Sequence, residues 1–168
     1  HFSKILIILR DDIRLSRFSQ SLRIINNNID IIEFPAWDCL PFDKNSPNQK
    51  LVGKRVRALS SLANPNSKKT IILSTIGSVI QKIPNQDFIK NSSKSIQSGQ
   101  NISQRELINF FENNGYMRTN TVREDSEYSL RGSILDVYPP GEKHPVRIDF
   151  FGDVIDSLRV FDPISQLS

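Results

Sequence analysis

The chain has 168 residues, of which 38% are hydrophobic and 24% charged, with 7 glycines and 9 prolines. This composition is typical of a folded protein with one domain or two small ones, and it excludes disordered and fibrous classes. A single cysteine cannot form an internal disulfide, which favours a reducing cytoplasm. The longest apolar run, Ile5 to Leu9, is far shorter than the roughly 20 residues of a membrane span, so we expect no membrane partner.

Charge is distributed unevenly along the chain. Residues 1–91 carry 14 basic and 7 acidic side chains, whereas residues 92–168 carry 8 basic and 11 acidic ones. The change of sign coincides with the polar stretch from Lys90 to Lys94, which is typical of a linker. We therefore predict two domains, 1–91 and 92–168. Because the chain begins at His1 and its only methionine is Met117, we also expect a piece of a longer protein.

Strands alternate with helices in the first predicted domain. Three apolar runs predict strands, the first of them buried on both faces: Lys4–Leu9, Asp30–Phe34 and Lys69–Leu73. One helix between them is capped by Asp11 or Asp12, and the next opens at Ser46-Pro47. Ser74 is a candidate cap for a short third helix. This alternation predicts a partial α/β domain with a parallel sheet.

The second predicted domain has a different pattern. Ser103 and Glu106 have the spacing of a capping box, and Gly115 is placed to end the helix that follows. Four strand-like runs come next: Tyr116–Val122, Tyr128–Tyr138, Pro145–Phe151 and Val154–Phe161. Short turns separate them, which predicts an antiparallel meander packed on one main helix, a small α+β domain.

Alternation along the third of these runs assigns its side chains to two faces. One face is apolar, and the other receives Arg147, Asp149 and Phe151. If the apolar face is buried, an arginine and a phenylalanine are exposed together. This composition is favoured in binding hot spots.

Residue patterns for catalysis or cofactor binding are weak. Gly53-Lys54 lies inside a predicted helix and lacks the remaining residues of a phosphate-binding loop, so we reject a nucleotide site there. Cys39 and His144 fall in different predicted domains and have no orienting partner, which argues against a nucleophile and base. We predict no catalytic, cofactor-binding or metal-binding residue in this chain.

Two alternatives stay open. Basic side chains could contact DNA phosphates, although their spacing spreads them around the predicted helix: Lys50, Lys54, Arg55 and Arg57. Three carboxylates that are close in sequence could hold a magnesium ion for phosphodiester cleavage: Asp149, Asp153 and Asp156. Aspartates are common in turns for conformational reasons, which weakens the metal hypothesis.

Two stretches resemble a known family. Phe34 to Asp43 reads FPAWDCLPFD and resembles the P-x-W-[DE]-x-L-P-[YF]-D segment of bacterial transcription-repair coupling factors, the Mfd family. Tyr128 to Pro139 reads YSLRGSILDVYP and precedes VRIDFF at Val146 to Phe151. This second block is similar to the R-G-x-[IL]-[LI]-D-[VIL]-[FY]-P module that the family shares with the excision nuclease subunit UvrB.

The resemblance implies a non-catalytic adaptor that recruits the repair ATPase UvrA. In the family, docking is carried by the arginine of the R-G motif and by the arginine and second aromatic residue of R-[IL]-D-F-F, which correspond to Arg131, Arg147 and Phe151. The parent protein is expected to be an ATP-dependent DNA translocase whose motor lies outside this chain. ATP and magnesium would serve that motor, and RNA polymerase and double-stranded DNA would bind other parts of the parent.

Overall fold

A computed structural model describes residues 4–26, 28–39, 46–63 and 69–168. The chain divides into two compact units, residues 1–93 and 94–168. The first unit holds a three-stranded parallel sheet with helices, and the second holds a five-stranded mixed sheet with one main helix. The predicted fold class is therefore confirmed.

The first unit alternates strands and helices. Its elements are β1 (Lys4–Leu9), α1 (Asp12–Ile25), β2 (Asp30–Phe34), α2 (Gln49–Ala63), β3 (Thr70–Thr75), α3 (Ile76–Val79) and α4 (Gln86–Asn91). The strands pair in parallel, as the alternation predicted, and their order in the sheet is β1-β3-β2. The short helix α4 was not predicted.

Helices pack on both faces of this sheet. Leu15 of α1 packs against Ile31 on one face, and Ala58 of α2 packs against Ile32 on the other. In β1, however, Leu6 and Ile8 are about half exposed, so the prediction that this strand is buried on both faces is wrong. The reason is that β1 lies at the sheet edge, away from β2, against which α2 packs.

Polar side chains set the ends of these elements. Asp11 caps α1, as predicted, by accepting a backbone hydrogen bond of 2.8 Å. The helix start predicted at Ser46-Pro47 is wrong, because Asn48 caps α2 instead and accepts a backbone hydrogen bond of 2.9 Å. Ser74 is not a cap either, since it lies in β3 and donates a hydrogen bond to a carbonyl of β2.

The second unit packs one helix on a sheet. Its elements are α5 (Gln104–Asn113), β4 (Met117–Arg118), β5 (Glu127–Arg131), β6 (Ile134–Val137), β7 (Val146–Phe151) and β8 (Val154–Val160). The sheet order follows the chain, and β5 to β8 form the predicted antiparallel meander. The first strand differs from the prediction: β4 has two residues and pairs in parallel with β5, because the connection between them returns the chain to the end at which β4 began.

The predicted start and end of α5 are confirmed, although only the serine half of the capping box forms, since the Glu106 carboxylate pairs with Lys94. The Ser103 hydroxyl accepts the backbone hydrogen bond of Glu106, and Gly115 adopts the left-handed conformation with a φ of 78°. Leu107 and Phe111 of α5 lie in one core cluster with the buried side chains of the sheet, among them Ile148.

Turns and edges shape the sheet. The predicted run Tyr128–Tyr138 is a hairpin rather than one strand, since Gly132 turns the chain with a φ of 61°. At the opposite edge, the pairing of β8 with β7 shifts register next to Asp149 and Phe150, which leaves one extra residue in β8. The first half of β8 is covered by residues 99–102, which exchange backbone hydrogen bonds with Ile155.

Candidate partner-docking site

One face of the five-stranded sheet is polar, and α5 covers the other. The strand register places Asp136 opposite Arg147 and Arg147 opposite Arg159, so these three side chains share one face. Alternation along β5 and β7 adds Arg131 and Phe151 to it. We call this surface, defined by these five residues, the outward face. It carries all three residues that the sequence predicted for docking.

A buried carboxylate organises the outward face. Asp136 is only 1% exposed, and its two oxygens accept hydrogen bonds of 2.8 and 3.0 Å from Nε and Nη2 of Arg147. Nη2 of Arg131 donates a third, of 2.6 Å. The hydrogen bond to Asp136 raises the pKa of Arg147, and burial opposes this only in part. One carboxylate therefore fixes two guanidinium groups and leaves the cluster with a net positive charge.

Arg147 itself is largely covered. Its side chain is 14% exposed, its guanidinium lies 4.6 Å from the ring centre of Phe161, and Nη1 faces the Gln166 carbonyl at 3.4 Å and the Ser168 hydroxyl at 3.3 Å. The expectation of an exposed Arg147 is therefore wrong. The physical reason is that residues following β8 fold back over the guanidinium.

Two of the predicted docking residues, Phe151 and Arg131, are exposed on this face. Phe151 is 82% exposed at the end of β7, and the Arg131 side chain is 51% exposed. Apart from Nη2, the guanidinium nitrogens of Arg131 make no hydrogen bond to the described residues. An exposed benzyl ring beside a partly free guanidinium is a suitable contact for another protein.

Asp149 holds a second charged pair on the same face. Its carboxylate accepts hydrogen bonds from Ser157 (2.7 Å) and from Nη2 of Arg159 (2.5 Å). Burial disfavours the ionised form, but these hydrogen bonds outweigh it, so the pKa of Asp149 lies below its usual value. Sequence patterns gave no role to Asp136 or Arg159, although alternation places both on this face.

The lowered pKa of Asp149 predicts a pH-dependent stability. A carboxyl group whose pKa is lower in the folded protein stabilises the fold fully above its unfolded value, about 3.9, and loses that contribution as the pH falls through the folded value. We expect Asp149→Asn to lower the free energy of unfolding by on the order of 1 kcal/mol at pH 6 and by less at pH 3. Urea unfolding of both proteins measures the difference, and a difference independent of pH would contradict the assignment.

Arg55, a predicted phosphate contact, is buried. It is 2% exposed, and its guanidinium lies 4.2 Å from the ring centre of Phe34 and 4.3 Å from that of Trp37. Nη1 donates hydrogen bonds to Ser78 and Gln81, both at 3.2 Å. Burial lowers the pKa of Arg55. The prediction that Arg55 contacts DNA is therefore wrong, since the side chain fastens the Trp37 motif to α2. The rest of that motif, residues 40–43, lies outside the described residues.

The other three basic residues are arranged differently from the expectation. Lys50, Lys54 and Arg57 are all exposed on α2. Their spacing of four and then three residues places them along one side of the helix, so they are not spread around it. We call this set the basic stripe.

Other chemical hypotheses find no support in the described part of the chain. Gly53-Lys54 lies in the middle of α2, which confirms that it is helix rather than a phosphate-binding loop. No three His, Cys, Asp or Glu side chains of the described residues are grouped closely enough to hold a metal ion. Among the described helices, none combines the length and apolar character that crossing a bilayer requires.

Comparison with known proteins connects this geometry to a family. A sequence model of the UvrB interaction domain matches residues 95–168. The chain is 35% identical over 94% of its length to a transcription-repair-coupling factor from Haemophilus influenzae, and 33% identical over 81% of its length to that from Escherichia coli. It spans only 13% and 12% of those two proteins. The resemblance predicted from the two motifs is thus confirmed: residues 95–168 match the UvrB interaction domain, and the chain is similar over most of its length to transcription-repair-coupling factors.

Proposed function

We propose that this chain is a non-catalytic adaptor whose outward face docks on the repair ATPase UvrA. The observation that carries the proposal is the 82% exposure of Phe151 on the same face as guanidinium groups fixed by a buried carboxylate. A phenylalanine that is so largely exposed in its own fold gains most when a partner covers it. The match to the UvrB interaction domain supports a protein-docking role for the same residues.

The three predicted docking residues have separate tasks in this proposal. Arg131 offers its remaining donors to carboxylates of UvrA, and Phe151 enters an apolar pocket. Arg147 is covered, so it acts by holding Asp136, which in turn directs Arg131. Net positive charge on the face favours an acidic partner surface and raises the association rate.

The wider role follows from the relatives. We propose that the full-length protein is an ATP-dependent DNA translocase of the bacterial cytoplasm that brings UvrA to stalled RNA polymerase. Its motor, with ATP and magnesium, and its contacts with polymerase and double-stranded DNA would lie outside these 168 residues. The chain's share of about an eighth of its relatives' length supports this division.

Calorimetric titration of the 168-residue chain into purified UvrA tests the adaptor function. We expect saturable one-site binding that weakens when the outward face is altered, whereas Arg105→Ala, on the exposed side of α5, leaves it unchanged. Absence of binding by the folded chain would contradict the proposal.

The basic stripe favours a second candidate function, weak DNA binding by the first unit. Three cations along one side of a helix can follow a phosphate backbone, and releasing the condensed counterions would drive the association. The excess of basic over acidic side chains in residues 1–91 also favours binding to DNA. Such binding would be independent of sequence, with dissociation constants of about 1–100 μM.

Fluorescence anisotropy with a labelled DNA duplex tests this second candidate. We expect binding at low salt that falls steeply as salt rises, and a loss of about tenfold or more in the double variant Lys50→Glu, Lys54→Glu. The matched control, Arg105→Glu with Lys143→Glu, changes the net charge equally on the second unit. Equal losses in both double variants would show a general charge effect and contradict a specific role for the stripe.

A further inference from the structure

We propose that Arg159, which the predicted site did not include, is a contact residue of the docking surface together with Arg131 and Phe151. This inference rests on the proposed adaptor function. Arg159 lies on the outward face because its strand register sets it opposite Arg147. Its side chain is 53% exposed, as much as that of Arg131 and far more than that of Arg147.

The Arg159 guanidinium is already held in one orientation. Asp149 binds its Nη2 at 2.5 Å, and the Ser157 hydroxyl fixes the same carboxylate oxygen at 2.7 Å. The other nitrogens of Arg159 make no hydrogen bond to the described residues. A long side chain that is fixed before binding loses less rotamer entropy in the complex, so its free donors are better placed to contribute to affinity.

The ion pair with Asp149 also draws the positive charge of Arg159 towards the Phe151 end of β7. Arg159 pairs with Arg147 in the register but its guanidinium is bound to Asp149, which lies two residues further along β7 in the direction of Phe151. Arg131 lies on the opposite side of β7 from Arg159. It belongs to β5 and pairs with Ile134 of β6, which in turn pairs with Asp149 of β7. Strands β5 and β8 are three spacings, about 14 Å, apart, and the ion pairs with Asp136 and Asp149 on the two strands between them bring the guanidinium groups closer together than that.

This arrangement describes the partner surface. Two half-exposed guanidinium groups share the outward face with an exposed benzyl ring, so the complementary surface combines an apolar pocket with carboxylates beside it. A planar guanidinium can pair with a carboxylate through two parallel hydrogen bonds, which a lysine cannot do. Arg159 therefore supplies the second exposed guanidinium, since Arg147 uses its donors within the fold.

Calorimetry with UvrA tests the inference in the 168-residue chain. We expect Arg159→Ala to weaken binding about tenfold and Arg159→Lys to restore only part of the loss. A second variant, Asp149→Asn with Arg159→Ala, separates contact from charge: if Arg159 is a contact, this double variant binds as weakly as the single one. Full recovery in the double variant would overturn the inference, because the unpaired Asp149 would then cause the defect.

The variant Phe151→Ala distinguishes a failure of the proposed adaptor function from a failure of the role assigned to Arg159. If the folded wild-type chain does not bind UvrA, or if Phe151→Ala binds as well as wild type, the proposed function itself is wrong. If Phe151→Ala weakens binding while Arg159→Ala stays within about twofold of wild type, only the assignment of Arg159 is overturned. The near-ultraviolet circular dichroism of the tyrosines, all in residues 116–138, verifies that each variant keeps the fold of the second unit.

Discussion

Replacing Asp136 with alanine is expected to lower the free energy of unfolding of the second unit by about 3 kcal/mol. The substitution leaves Arg147, whose side chain is 14% exposed, without its bidentate partner and removes the fixed contact of Arg131. A buried cation without a counter-charge costs far more than an exposed one, because its hydration is not restored. The effect should therefore greatly exceed that of Asp149→Asn.

The chain offers separate probes for the two units. Its only tryptophan, Trp37, lies in the first unit, and its three tyrosines lie in the second. Urea unfolding followed by near-ultraviolet circular dichroism of the tyrosines should shift to lower urea in Asp136→Ala, while tryptophan fluorescence should be unchanged. Asp156→Ala is the matched control, since this aspartate is exposed and its side chain binds none of the described residues.

A compensating variant tests the cause. Replacing both partners with apolar residues, Asp136→Leu with Arg147→Met, should recover most of the lost stability, because no unpaired charge stays buried. If the double variant is as unstable as Asp136→Ala, the loss arises from packing rather than from the unpaired guanidinium. The ion-pair explanation would then be wrong.

Replacing Phe151 with alanine is expected to have the largest effect on binding. A central aromatic residue of an interface typically contributes about 2–4 kcal/mol, which is about a 30-fold to 1000-fold loss of affinity for UvrA. The same change should alter the free energy of unfolding by less than about 0.5 kcal/mol, since the ring is 82% exposed in the free chain. Calorimetry and urea unfolding of one preparation measure both quantities.

Phe88→Ala is the matched control for this prediction. Phe88 is also an exposed phenylalanine, but it lies on α4 in the first unit. Its removal should leave UvrA affinity unchanged. Phe151→Leu should retain part of the affinity, because it preserves apolar contact without the aromatic ring. An affinity that is equal in wild type and Phe151→Ala would contradict the docking surface.

Local patterns predicted most of the fold. Strands β1 and β2 have the predicted bounds, and Ser103 and Gly115 act at the ends of α5 as their positions indicated. These features depend on backbone sterics and on hydrogen bonds within a few residues, which the sequence shows directly. Alternation along β7 also placed Arg147 and Phe151 on one face, because side chains of a strand alternate strictly.

The burial of Arg55 was not predicted, although its position among the apolar residues of α2 indicated it. Arg55 lies four residues after Leu51 and four before Leu59, within the apolar stripe of α2, whereas Val56 is exposed. Arginine in such a stripe is normally assigned to the surface by its charge. Only the aromatic rings on both sides, which come from a different stretch of the chain, make the buried position favourable.

Local sequence patterns could not predict that Arg147 is covered, because the groups that cover it also come from a different stretch of the chain. Phe161 and the backbone at Gln166 reach the guanidinium from the chain beyond β8. A strand's alternation tells which side a residue faces and not what lies above it. The distinction between a contact residue and one that works through Asp136 therefore required the three-dimensional arrangement.

The covering of the first half of β8 limits aggregation of the second unit at high concentration. Residues 99–102 occupy the hydrogen-bonding groups around Ile155, and the extra residue interrupts the regular edge. At this edge of the sheet, the part of β8 left as a template for another strand is a short stretch that includes the charged Arg159. This unit can thus display a bare aromatic ring to solvent while resisting edge-to-edge aggregation.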